Sequence, residues 1–502
     1  MTTYFAITIG PMYKTFSYAK KTRELWAASY TFSYLMKCLV EEFESKGDIL
    51  LPSIESKEDS RFEGIGVYPD RLIMIVINPD ELKHNDLIEK ALINFCTNIG
   101  LKLNDAASYF QIYPLLVTTT QLENINLPDS ELNKSNIHKI NHLLNCLELR
   151  PNYNPNNLSI LPKLFQWKVL HSNYVLSFGT RHYSFQSLKL IAAKDIVNGE
   201  NKNLLNMDEE SLTDDNKVQL AKIPFKKYHN YIAILHGDGD NFGTVISSLG
   251  NDTAAITTFS EKLVEFSLKA ADVIKNYGGA PIYIGGDDIV CFAPVKNNTF
   301  SIFHLVNEIN TNFQASFPKN KYNGIAVSLS YGLSITYVKY PLNEALSKSR
   351  DLMTEEAKNQ QLNPGKNGIS IELLQHSGQQ RKIILNFGIA SNFSTLINMM
   401  DTFNDNTDVL HSIIHQFIED DKMITTLCKD PNYKDRLYGY FNHHFNIADN
   451  TKPQYAFIKA VYDFFIAELS NHSTLNDEAI TNTLNKANSV ARFINFLNTD
   501  NE

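Results

Sequence analysis

Residues 4–9 form a short apolar run that stops at Gly10-Pro11, and a long helical periodicity follows over about 16–44. Apolar runs at 72–77 and 113–118 flank another helical stretch at 82–99, so this first part of the chain spells β-α-β-β-α-β. The same grammar returns later: an apolar run at 231–235, the turn HGDGDNFG, a long helix to about 277, apolar runs at 281–284 and 289–292 around GGDD, a helix near 300–317, a strand at 326–336 and a helix from 342 to about 359. Two ferredoxin-like units in one chain are predicted. Between 198 and 227 the polar run ENKNLLNMDEESLTDDNK predicts an exposed linker, and the Asn- and Pro-rich stretch 150–157 predicts a surface connection. Beyond about 377 the spacing is helical almost throughout, as in DVLHSIIHQFIEDD and YAFIKAVYDFFIAELS. The expected class is α+β: a first ferredoxin-like unit at 1–125, a small helical middle domain and linker at 126–228, a second ferredoxin-like unit at 229–376 and a helical domain at 377–502.

Composition changes this picture little. With 43% hydrophobic and 20% charged residues, the 502-residue chain has ordinary globular usage. Its formal net charge of -9 argues against a chain that grips nucleic acid by itself over a large surface, because such binding rests on Lys and Arg neutralising phosphates. The five cysteines, Cys38, Cys96, Cys146, Cys291 and Cys428, form no C-x-x-C pair and read as free thiols. The N-terminus lacks the pattern of a secretory leader, and no segment reaches the length of a membrane span, so a cytoplasmic location without membrane contact is expected.

The chemistry concentrates in the second unit. In YIGGDDIVCF two apolar strands meet at Gly285-Gly286-Asp287-Asp288, a hairpin tip with adjacent carboxylates. Upstream, YIAIL runs into His236-Gly237-Asp238-Gly239-Asp240, and a ferredoxin-like sheet places both acidic ends on adjacent central strands. Carboxylates this close repel unless a cation stands between them, so Asp238, Asp240, Asp287 and Asp288 are candidate ligands for two Mg²⁺ or Mn²⁺ ions; the alternative is a plain Gly-Asp turn with solvated side chains. Asp240 is the least secure, since the turn points it towards solvent if the strand's alternation ends before it. Gly239, Asn241, Phe242 and Gly243 on one turn, with Gly285 and Gly286 on the other, are the expected nucleotide contacts. Lys358 and Lys366 are candidate triphosphate contacts, or solvated surface charges. Metal-assisted in-line displacement at a nucleotide phosphate is the chemistry this set suits.

These motifs resemble the large, polymerase-like subunit of type III CRISPR effector complexes, specifically its Cmr (type III-B) branch. The resemblance is carried by IGPMYKTFSYAKKTRELWAASYTFSYLM at the N-terminus and by HGDGDNFG, YIGGDDIVCF and SLSYGLSITYVKYPLNEALSKSRDLMTEEAK in order. It implies two palm domains, the second catalytic, with Asp238, Asp287 and Asp288 as metal ligands and the first palm embracing the nucleotides. It further implies antiviral defence within an RNA-guided complex, with other Cmr-type subunits, guide RNA and target RNA as partners. ATP is the implied substrate for an adenylate second messenger made when target RNA is bound.

No His-Asp dipeptide occurs, so an HD nuclease is not expected, nor is a four-cysteine zinc module. Output then passes through the nucleotide product, either cyclic oligoadenylate or AMP joined to S-adenosylmethionine. Asp70 and Glu148 are candidates for meeting a cationic acceptor, with surface carboxylates as the alternative. Lys14, Lys20, Lys21, Arg23 and Trp26 either contact RNA or a neighbouring subunit, or belong to a helix with Trp26 packed inward. A diguanylate-cyclase-like enzyme is a second reading, weakened by Ile289 after the acidic pair; a catalytically silent scaffold is a third.

Overall fold

The computed structural model of the chain describes residues 2–53, 65–127, 135–149, 158–165, 186–198, 201–206, 213–220, 222–318, 322, 324–359, 366–388, 392–404, 406–472 and 474–499. The first unit contains β1 (Thr3–Gly10), α1 (Met12–Tyr18), α2 (Thr22–Phe43), β2 (Gly47–Leu51), β3 (Arg71–Val76), α3 (His84–Ile99) and β4 (Gln111–Thr118). Its sheet order is β2-β3-β1-β4, with β1 antiparallel to both neighbours, Ala6 opposite Ile73 and Leu115. Both faces of β1 are covered, which is why YFAITI reads as an unbroken apolar run. Phe5, Ile7 and Ile9 pack with Phe43 and Phe95 from α2 and α3, while Tyr4 and Ala6 pack with Ile137, Ile140 and Leu144 of the helix Asn136–Glu148.

The second unit repeats the order. It holds β5 (Tyr231–Asp240), the long helix Thr253–Tyr277, β6 (Ala280–Gly285), β7 (Asp288–Pro294), the helix Ile302–Ser316 and β8 (Ser328–Tyr337). With β9 (Gly368–Leu374) and β10 (Gln380–Asn386) added at one edge, the sheet runs β10-β9-β8-β5-β7-β6, and its segment β8-β5-β7-β6 matches β4-β1-β3-β2 of the first unit, so both are ferredoxin-like. Strand β5 divides two cores by alternation: Ala233 and Leu235 face the helices of their own unit, whereas Ile232 and Ile234 join Trp26, Leu35 and other α2 residues of the first unit. The units are joined by polar contacts too. Ser29 Oγ donates to Ile282 O at 2.7 Å, and Ile284 N donates to Gly66 O at 2.9 Å. Trp26 is 2% exposed and stacked on Tyr30, so packing is its role.

Two segments differ from the sequence expectation. The 198–227 linker carries short helices Lys202–Asn206 and Asp214–Leu220; before the first, Asn198 and Asn201 cap one another, and within it Leu205 finds a buried site. Past 377, where helix is predicted, β10 (Gln380–Asn386) pairs with β9 (Gly368–Leu374) and extends the sheet. In QRKIILN, Ile383 and Leu385 face inward from an edge strand, a two-residue alternation too short to stand out against the helices that follow. The described part of the tail is then helical from Asn392–Thr402 to Asp477–Asn498, and Phe496 of the last helix docks edge-on against Tyr231 of β5. The predicted surface connection at 150–157 lies outside the described residues. Among the described residues, no helix is long and apolar enough to cross a membrane.

Candidate active site

Strand β5 continues through Asp240, paired residue by residue with β8 from Tyr231 opposite Tyr337 to Asp240 opposite Ser328. Alternation is therefore unbroken, and His236, Asp238 and Asp240 share one face. The condition under which Asp240 would turn to solvent is not met: it is 1% exposed, and its Oδ2 accepts from Ser328 Oγ (2.7 Å), Ser330 Oγ (2.8 Å) and Asn367 N (3.0 Å). Its other oxygen, Oδ1, is buried without a hydrogen-bond partner.

The acidic hairpin closes beside this strand end. Gly285 pairs with Asp288 across the two-residue turn Gly286-Asp287, and Gly286 takes φ +67°, a left-handed position that favours glycine. The Asp287 carboxylate packs against Gly239, where an added Cβ would lie 2.5 Å from its Oδ2. The two motifs thus converge. Burial first, then the Asp238 carboxylate, push Asp287 up to about 6, with Lys358 acting in the opposite direction. Asp288 is held well above the ordinary carboxylate value by burial, then by Asp287, Asp238 and Asp70.

Lys358 reaches into the cluster. The helix Leu342–Asp351 runs into a π-helical turn, Leu352–Ala357, and Lys358 follows it. Its Nζ is hydrogen-bonded to Asp238 Oδ2 and, at 3.0 Å, to Gly239 O, and stands 3.9 Å from Asp240 Oδ1. The three atoms named around Nζ are all oxygens, the type that Mg²⁺ or Mn²⁺ prefers, and Asp240 Oδ1, which makes no hydrogen bond, faces the cationic group. Among the described residues, no group of three or more Asp, Glu, His or Cys side chains is arranged to hold a metal ion by itself. The backbone oxygen of Gly239 lies beside Asp238 Oδ2 and Asp240 Oδ1 around the Lys358 ammonium.

The remaining expected contacts divide. Asn241, at φ +66°, donates to Ala326 O and accepts from Lys366 Nζ at 3.0 Å, so Lys366 stands at the end of β5. The Phe242 ring is buried among Phe259, Phe313 and Phe317, with its edge against Gly239 on the side where the Asp287 carboxylate lies. Gly243 is exposed and faces His138.

Sequence reasoning missed the cleft beside the carboxylates. A cavity of about 240 Å³ opens between the two units, lined among others by Tyr13, Asp70, His236, Tyr283, Asp288 and Arg350. The Arg350 guanidinium lies 4.4 Å from the Tyr13 ring, one side chain from each unit. His236 Nδ1 meets Ser349 Oγ at 2.7 Å, and that hydroxyl also lies 2.9 Å from Leu346 O, so the ring is held in place. Burial, then Arg350, lower His236 to about 3. The signal for His236 was present in HGDGD, two positions before Asp238. Of the two acceptor candidates, Asp70 lines the cleft, with its carboxyl raised by burial and by Glu148 against the pull of Arg71. Glu148 is instead bound to Arg71 (3.0 Å) and Thr8 (2.6 Å).

Residues 231–370 match the family model for "Cas10/Cmr2, second palm domain", and residues 4–100 match "CRISPR-associated protein Cmr2, N-terminal". The CRISPR system Cmr subunit Cmr2 of Pyrococcus furiosus is 31% identical over 207 residues, which cover 35% of this chain and only 22% of that relative's length. In fold, the chain is similar to a chain of the type III-B Cmr-beta complex in its apo state (TM-score 0.54, 12% identity, covering 86% of this chain and 76% of the other). It is also similar to one of that complex bound to cognate target RNA (TM-score 0.50, 13% identity, covering 95% and 80%). Both family matches fall on the segments that carry the sequence resemblance. The chain resembles the large subunit of type III-B complexes at its N-terminal region and at its second palm.

Proposed function

We propose that this chain is a nucleotidyltransferase subunit of a type III-B CRISPR effector complex, making an adenylate product from ATP when the complex holds target RNA. The observation that carries the reading is the gathering of Asp238, Asp240, Asp287 and Asp288 at one end of the second palm sheet, beside a cleft closed by the first palm. Asp238, Asp240 and the Gly239 carbonyl would hold a divalent ion, with Asp287 and Asp288 beside them for a second. Bound there, such ions lower the pKa of an attacking hydroxyl and stabilise the leaving pyrophosphate. The left-handed Gly286 leaves the hairpin backbone open to a phosphate chain, since nothing lies within 4 Å of where its Cβ would stand.

The other residues orient and exclude. Neutral His236 offers the cleft a fixed ring nitrogen, and the Tyr13–Arg350 stack bridges the units at the same opening. Asp70 in this lining supports a cationic acceptor such as S-adenosylmethionine over a second ATP, whereas Glu148 is committed to Arg71. Other Cmr-type subunits, guide RNA and target RNA are the partners through which the cleft is activated, in the cytoplasm. A diguanylate-cyclase-like activity and a silent scaffold are the alternatives.

The test gives the assembled complex radiolabelled ATP with Mg²⁺ or Mn²⁺, with and without target RNA and S-adenosylmethionine, for wild type and Asp287→Ala/Asp288→Ala. A target-dependent product absent from the double variant is expected, its mass separating oligoadenylate from the methionine adduct. No product under any condition leaves the scaffold.

A further inference from the structure

We infer that Lys358 is the resident counter-ion of the palm carboxylates, holding in its ammonium the seat of a divalent ion and competing with that ion for it. The inference rests on the carboxylates being a metal site. Asp240 is fastened by Oδ2 to Ser328, Ser330 and the Asn367 amide, which leaves Oδ1 buried, aimed and without a hydrogen bond. The Lys358 ammonium lies among that oxygen, Asp238 Oδ2 and Gly239 O. Its base is fixed: Lys358 N donates to Met353 O at 3.0 Å across the π-helical turn, and neighbouring Glu356 accepts from Ser370 and Lys382. The head is carried on a flexible four-carbon stem, so it can leave without disturbing the turn.

A buried group of carboxylates needs positive charge whether or not metal is present. Lys358 supplies it in the metal-free chain, which lowers the affinity for free ions. A nucleotide-ion complex brings its own anionic partner for the displaced ammonium, so the site loads with that complex more readily than with the ion alone.

The test titrates Mn²⁺ into the nucleotide-free full chain, reading free Mn²⁺ by electron paramagnetic resonance. Lys358→Met, which keeps length and removes charge, is expected to bind Mn²⁺ about fivefold tighter, the size of an ion pair worth about 1 kcal/mol. Lys358→Arg, which keeps the charge, is expected to stay near wild type, and the metal-free Met variant should melt lower and be rescued by Mn²⁺. Equal or weaker binding by a folded Met variant overturns the inference; should that variant not fold, Lys358→Gln carries the same comparison. With no nucleotide or RNA present, the result stands apart from the activity assay, which can fail without touching it.

Discussion

Asp238 and Asp240 lie two residues apart on one face, yet one reaches a lysine and the other is locked by two serines and an amide. That difference was not legible in HGDGDNFG, whose glycines look like a turn; the strand persists because Ser328 and Ser330 of β8 pair with it. Asp287 shows what such crowding does to stability. Its folded-state value of about 6 lies above the roughly 3.9 of an unfolded aspartate. The folded chain therefore keeps a proton that the unfolded chain gives up between these values. The contribution to stability is full below about pH 4 and is lost as pH rises through about 6. Metal-free Asp287→Asn should accordingly melt about 2–4 °C above wild type at pH 7.5, with the gap closing towards pH 4. A gap independent of pH in thermal melts would mean that Asp287 feels no such repulsion.

Elements place these residues. The helix Leu342–Asp351 and its π-helical turn carry Ser349, Arg350 and Lys358 to the site, and they lie directly on β8: a Cβ at Gly332 would be 1.9 Å from Ser349 O and 2.6 Å from Met353 N. Both atoms are backbone, so the helix itself must move. Gly332→Ala should cost about 1–3 kcal/mol in denaturant unfolding and reduce product formation, since His236 loses its Ser349 contact and Lys358 its register. Unchanged stability would show that the helix has room to shift. The strand at 326–336 was readable from SLSYGLSIT, but the reason for its glycine was not, because the contacting backbone arrives from a later helix.

At the scale of the molecule, two units with the same strand order share one apolar interior. Trp26 of α2 lies in the same core as Ile282 and Phe292 of the second sheet. Trp26→Ala should cost about 3–5 kcal/mol. Amides of β6 should lose hydrogen-exchange protection together with those of α2 rather than after them. Independent loss would mean that the palms unfold as separate bodies.

The sequence by itself determined the two β-α-β-β-α-β units, the helices of the tail beyond β10 and the acidic hairpin, because each is written in local spacing: alternation, helical period and glycine beside aspartate. Tertiary structure decided the rest. Asp240 turned inward, Lys358 entered the carboxylates, Phe242 joined the core, and Asp70 but not Glu148 reached the cleft. Each depends on partners distant along the chain, such as Ser330, 90 residues from Asp240, and Arg71, 77 residues from Glu148. Side-chain direction and charge pairing are properties of the packed surfaces that meet there, and no local pattern encodes them.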